Sequence, residues 1–291
     1  MTIRRYLQLD VFADRPGAGN PLGVVFDAAD MDSHAMQAYA AWANLSETIF
    51  FLPPTSAEAD YRVRIFTPRQ ELPFAGHPSV GAAWAALDSG LAQARDGHLM
   101  QECAAGLLPV SIEERDTRRI IHIRTPHATQ VETGPQLQEK LGFALHDLVL
   151  GETSPALWNN GPNWWLVELA DAEAVRAMRP DLAAIASLTV ASDAVGLAVF
   201  GRANAADHDL AVRAYCPADD IPEDPVTGSA NASIAALLHH AGALPGAEGS
   251  YLASQGRELG RDGRVEVRVD EEGEVWIGGK VQAVIRGSVD W

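Results

Sequence analysis

Apolar and polar positions along this chain switch repeatedly between the period of a strand and that of a helix. Residues 6–12 alternate, as one face of a half-buried strand does, and residues 22–26 form a second strand. Between them, 15–21 (R-P-G-A-G-N-P) reads as loop from its Gly, Pro and Asn content. Residues 32–42 carry apolar side chains at helical spacing, with Asp32 or Ser33 placed as cap. After the polar segment 44–48, residues 49–52 and 61–66 read as strands, and 107–112 with 118–123 as a hairpin around a charged turn. The second half continues in the same style. It has a strand at 164–169, a helix at 171–178, strands at 194–201 and 209–215, and closing strands at 265–269 and 275–284. The expected class is α+β.

The chain also says nearly the same thing twice. Around Arg64 it reads R-I-F-T-P-R-Q-E-L-P-F-A-G-H-P-S-V-G, and around Arg213 it reads R-A-Y-C-P-A-D-D-I-P-E-D-P-V-T-G-S-A. Arg64, Pro68 and Pro73 align with Arg213, Pro217 and Pro222 at a constant offset, and a short insertion brings Gly76-His77 opposite Gly228-Ser229. In each copy a strand ends in a Pro-punctuated turn, followed by a small polar cluster and an alanine-rich run, 81–87 and 231–238. Repetition at half the chain length implies two related lobes, not a short-repeat solenoid. Each lobe is expected to be a curved, mostly antiparallel sheet around a central helix, the alanine-rich run, whose small side chains permit close approach. The polar, Pro-rich stretch 126–135 sets the expected boundary. That gives lobes 1–128 and 129–291, with the last strands free to return to the first lobe. Both copies would aim a helix N-terminus at a common cleft.

Length and charge narrow the setting. A chain of 291 residues predicts about two domains, and 47% hydrophobic residues suffice for two cores. No apolar run approaches the roughly 18–20 residues of a membrane span. The start, M-T-I-R-R-Y, lacks the apolar region of a signal peptide, so a cytoplasmic enzyme is expected. Cys103 and Cys216 are too few for a disulfide framework or a thiolate metal site. A formal charge of −17 argues against nucleic acid and anionic membrane partners. It does not exclude a small anion, because helix N-termini supply a local positive field.

Two segments carry candidate chemistry. Glu47 lies between a helix and an apolar strand, where desolvation makes a carboxyl usable as acid and base near neutral pH. The alternative is a solvated loop residue or a cap partner. Gly76-His77-Pro78-Ser79 opens the first alanine-rich helix. Gly76 permits close approach of backbone to a ligand, and His77 can donate a proton or act as a structural hydrogen-bonder. In the second copy, Thr227, Gly228 and Ser229 would present consecutive N–H groups to a carboxylate or phosphate, or else form a plain cap. No dinucleotide fingerprint, phosphate loop, zinc spacing or nucleophile elbow occurs. A metal-free, cofactor-free acid/base site is what remains.

These residues resemble the PhzF-like family of phenazine-biosynthesis isomerases, which share the diaminopimelate epimerase fold. The resemblance rests on Gly19-Asn20-Pro21, Asn44-Leu45-Ser46-Glu47-Thr48 and Arg64-Ile65-Phe66-Thr67-Pro68. It extends through Glu71-Leu72-Pro73-Phe74-Ala75-Gly76-His77-Pro78 and Glu223-Asp224-Pro225-Val226-Thr227-Gly228-Ser229-Ala230, with echoes at Gln255-Gly256, Gly260-Arg261 and Gly278-Gly279. It implies two like lobes, a homodimer, no cofactor and a small carboxylate-bearing substrate. It further implies that Glu47 shuttles a proton between carbons while His77, Asp224 and Ser229 hold the substrate and assist. Related amino-acid epimerases carry a cysteine before each glycine of the repeat; here those positions are Ala75 and Thr227. Two-thiol racemisation is therefore excluded. A racemase-like enzyme pairing Glu47 with His77 or Asp224, and a catalytically silent ligand-binding dimer, remain as alternatives. Trp164, Phe74 and Tyr215 are candidate substrate-lining residues, and Asp262 stands where the family commonly has proline, which weakens an anchoring role for Arg261.

Overall fold

The structure, a computed structural model, describes residues 2–115, 118–204 and 207–291. The chain divides into two compact units, residues 1–124 with 278–291, and residues 125–277.

The first unit contains β1 (Ile3–Val11), β2 (Asn20–Val25), α1 (Ser33–Ala43), β3 (Glu47–Leu52), β4 (Tyr61–Phe66), β5 (Glu71–Leu72), α2 (Gly76–Asp88), β6 (His98–Cys103), β7 (Gly106–Arg115) and β8 (Arg118–Arg124). β1 and β2 are antiparallel, and β2 runs parallel to β3 across the α1 crossover. β3 and β4 are antiparallel, and β4 runs parallel to β6 across a crossover made of β5 and α2. β6, β7 and β8 then form an antiparallel meander.

The second unit repeats that order of connections. It contains β9 (Thr129–Val131), α3 (Pro135–Ala144), β10 (Ala156–Asn159), β11 (Asn163–Glu168), α4 (Ala172–Ala177), α5 (Leu182–Ala191), β12 (Gly196–Arg202), β13 (Leu210–Cys216), β14 (Ile221–Asp224), α6 (Gly228–His240), β15 (Ser250–Gln255) and β16 (Gly263–Val269). Antiparallel β10–β11, parallel β11–β12, antiparallel β12–β13, parallel β13–β15 and antiparallel β15–β16 follow in turn. β17 (Val275–Gly279) crosses the division between units, and β18 (Val281–Asp290) lies antiparallel to β1 in the first.

The alanine-rich helices are the central ones. α2 touches β1, β2, β3, β4, β6 and β8, and Ala82, Ala83, Ala85 and Ala86 are fully buried. Small side chains are required at that approach: a Cβ on Gly81 would lie 2.3 Å from Leu22 Cδ2 and 3.1 Å from Val11 Cγ2. α6 packs on β10, β11 and β16 with Ala230, Ala232, Ala235 and Leu238 buried. α1 covers a separate apolar cluster of Val25, Met36, Tyr39, Phe50 and Phe66. α4 and α5 cover another, built on Trp165, Val167, Val199 and Tyr215.

Several boundaries differ from the sequence reading. β2 begins at Asn20, inside the expected loop, because Asn20 and Pro21 continue the ladder opposite Val11 and Asp10. β3 begins at Glu47, two residues early. The expected strand over 275–284 is two strands meeting at Lys280. α3 and α5 were not anticipated. Leu182–Ala191 is apolar on nearly every side, so it presents no polar face from which a helical period can be read.

Candidate active site

β2 supports both candidate acid/base side chains of the first unit. Asp32 caps α1 by accepting a hydrogen bond from the Ala35 N–H (2.8 Å), and Asn44 ends it in the left-handed conformation (φ 51°, ψ 39°) that Asn tolerates better than most residues. The turn after Asn44 delivers Glu47 as the first residue of β3, beside Leu22 of β2. One residue before Leu22, the Pro21 carbonyl accepts a hydrogen bond from the His77 ring. Gly19 makes this end of β2 possible, since a Cβ there would fall 2.0 Å from the Val11 carbonyl oxygen.

His77 is the second residue of α2 and only 4% exposed. Its Nε2 lies 3.3 Å from Glu47 Oε2, and the Glu47 side chain keeps 16% of its surface. Burial pushes the imidazole down to about 3, outweighing the Pro21 carbonyl, which favours the charged ring. The ring is therefore neutral at neutral pH, and the contact is a carboxyl facing an uncharged imidazole, not an ion pair. A neutral imidazole has one donor and one acceptor nitrogen; with the donor on the Pro21 carbonyl, Nε2 faces Glu47 as an acceptor.

In the second unit, Asp224 ends β14 and pairs with Ala214 of β13. Arg213 grips Glu223 through Nε and Nη2 (both 2.9 Å) and donates through Nη1 to the Met178 carbonyl (2.7 Å). Thr227 occupies the N-cap position of α6 without a side-chain cap hydrogen bond, and its hydroxyl donates to Asp224 Oδ2. α2 likewise begins after Ala75 with no side-chain cap. Neither N-cap side chain accepts from the first N–H groups of its helix, and helix-start N–H groups suit a carboxylate. Ser229 Oγ accepts from the Trp164 indole N–H (3.1 Å), and its carbonyl accepts from Asn160 Nδ2 (2.9 Å).

Glu47, Gly76 and His77 thus belong to the first unit, and Asp224, Thr227, Gly228 and Ser229 to the second. Among the candidate lining residues, Trp164 meets Ser229 directly. Tyr215 is fully buried in the apolar cluster under α4 and α5, so it is a core residue. Phe74 is 4% exposed. The residue whose role the sequence concealed is Gln255. Fully buried at the end of β15, it makes four hydrogen bonds to the 224–231 segment. Its only signal was the Gln255-Gly256 echo.

Comparison with known proteins fits this architecture. Residues 9–287 match the family described as phenazine biosynthesis-like protein, and the chain belongs to that family. Antisense-enhancing sequence 1 of Schizosaccharomyces pombe is 32% identical, with 99% of each chain covered. The trans-2,3-dihydro-3-hydroxyanthranilate isomerase of Pseudomonas aeruginosa is 34% identical, with 94% of this chain and 92% of that protein covered. The crystal structure of the PhzF-family phenazine biosynthesis protein of Bacillus anthracis superposes with a TM-score of 0.84 at 26% identity, covering all of both chains. The chain is an isomerase of α+β fold. Among the described residues, no helix is long and apolar enough to cross a membrane.

Proposed function

We propose that this isomerase moves a proton between two carbons of a small carboxylate-bearing metabolite, with Glu47 as the proton carrier. The observation that carries the reading is the Glu47–His77 contact, a carboxyl 3.3 Å from a buried, neutral imidazole. Removing a proton from carbon needs a base held close to it and stabilisation of the anion that develops. Glu47 takes the proton and returns it elsewhere, so its protonation state is restored at the end of each turnover. Neutral His77 presents Nε2 to the carboxyl as an acceptor for the moment when Glu47 carries the proton, without adding a fixed charge. Gly76 in the first unit, and Gly228 with Ser229 beside Thr227 in the second, each offer helix-start N–H groups suited to an anion, and Asp224 assists proton movement. Ala75 and Thr227, standing where amino-acid epimerases have cysteines, favour this single-carboxylate chemistry over two-thiol racemisation. The enzyme acts in the cytoplasm as a homodimer in this reading, and light scattering tests the assembly.

The first substrate to try is trans-2,3-dihydro-3-hydroxyanthranilate, on which the Pseudomonas aeruginosa relative is named. The reaction is followed by NMR in deuterated buffer. Transfer of hydrogen between ring carbons is expected. Deuterium entry with inversion at a single carbon would instead mark an epimerase. A ligand that raises the melting temperature in wild type and in Glu47→Gln alike, without any exchange in wild type, would mark a binding protein.

A further inference from the structure

We propose that Gln255 is a positioning residue that fixes the direction of the Thr227 hydroxyl and so holds Asp224 as a hydrogen-bonded carboxylate. The inference rests on the reaction proposed above, in which Asp224 assists proton movement.

The argument begins with two backbone groups whose polarity cannot change. The Thr227 N–H is an obligate donor and lies 2.9 Å from Gln255 Oε1. The Asp224 carbonyl is an obligate acceptor and lies 3.0 Å from Gln255 Nε2. Together they fix which end of the amide is oxygen and which is nitrogen, a choice that heavy-atom positions alone leave open. Asn231 agrees independently: its Nδ2 donates to the Thr227 carbonyl (2.8 Å) and to Gln255 Oε1 (3.0 Å). Gln255 Nε2 is therefore a donor where it meets Thr227 Oγ1 at 2.9 Å. A hydroxyl that accepts there must send its single proton to its other partner, Asp224 Oδ2. The polarity of two peptide groups is thus passed through one buried amide and one hydroxyl to a carboxylate oxygen.

The matching positions of the first unit carry different side chains. At the matching register of β6 stands Cys103, and at the matching helix start stands Ala75. In the second copy the turn carries the side chains that orient a carboxylate.

The test is neutron diffraction on crystals of the full chain exchanged into deuterated buffer. The Thr227 hydroxyl deuteron is expected on the line to Asp224 Oδ2. In Gln255→Glu, where the Nε2 donor becomes a carboxyl oxygen, the deuteron is expected to swing toward residue 255. A wild-type deuteron pointing anywhere else, or one unmoved in Gln255→Glu, overturns the proposal. This arm needs no turnover, so it succeeds or fails independently of the assigned reaction. With turnover of trans-2,3-dihydro-3-hydroxyanthranilate, Thr227→Val should lower kcat at least about tenfold with KM changed less than about threefold, as loss of acid/base alignment does. Thr227→Ser, which keeps the hydroxyl, should retain most activity. Wild-type kcat in Thr227→Val would reject the positioning role even if the deuteron lies as expected.

Discussion

His77 Nε2 sits 3.3 Å from Glu47 Oε2, yet thirty residues and two strands separate them along the chain. β2 brings them together, because Leu22 runs beside Glu47 and the Pro21 carbonyl takes the His77 ring hydrogen bond. If Glu47 carries the proton, Glu47→Gln keeps the shape and loses the chemistry. Turnover should fall by about 10²–10⁴-fold, the usual share of a positioned acid/base group, while circular dichroism and melting temperature stay near wild type. Retention of full activity removes Glu47 from the mechanism.

Burial of His77 also makes a statement about acid stability. The imidazole is held down to about 3 when folded and returns to about 6.5 when unfolded. Between those values the unfolded chain binds a proton that the folded chain does not, so unfolding free energy falls as pH drops from about 6.5 toward 3. The shift corresponds to about 5 kcal/mol at the acid limit. His77→Asn should flatten this part of the stability–pH curve, measured as urea midpoints from pH 7 to 4. An unchanged slope in the variant would show that other groups set the acid limit.

The repeat contains one ion pair in two environments, which separates burial from geometry. Arg64 binds Glu71 through Nε and Nη2 just as Arg213 binds Glu223. The first pair has side chains 20% and 34% exposed, the second 8% and 9%. An exposed pair contributes about 0–1 kcal/mol, whereas removing one partner of a buried pair leaves an uncompensated charge costing about 3–5 kcal/mol. Glu71→Ala should therefore be nearly neutral and Glu223→Ala strongly destabilising in denaturant titrations. Equal losses from the two variants would contradict this.

Much of the fold could be read from local pattern, because its devices are local. The β7–β8 strand pair, the Asp32 cap and the Gly76-His77 helix start all depend on residues a few positions apart, while the tip of the expected charged turn, 116–117, lies outside the described residues. The site resisted for the opposite reason. Thr227 looks like a helix cap in sequence, and only Gln255, brought in by the parallel β13–β15 pairing, shows that its hydroxyl is used elsewhere. Tyr215 sits inside the second copy of the motif yet faces the apolar cluster, since strand alternation and not proximity decides which face a side chain takes. α5 stayed hidden because a helix without a polar face has no period to detect.

The close fit of α2 inside its sheet gives a last expectation. Gly81 lies where a Cβ would meet Leu22 Cδ2 at 2.3 Å, and Leu22 is itself fully buried beside Glu47. A side chain at position 81 must displace Leu22, and with it the stretch of β2 that supports the Glu47–His77 contact. Overpacking of this kind costs about 1–3 kcal/mol. Gly81→Val should therefore lower the urea midpoint and also reduce kcat, although residue 81 is neither acid, base nor ligand. Gly90→Val, at an open site near the far end of the same helix where nothing lies within 4 Å but φ is +73°, serves as the control. It should carry a backbone cost with little effect on turnover. If both variants lose activity in proportion to stability alone, the link from α2 packing through Leu22 to the Glu47–His77 contact does not hold.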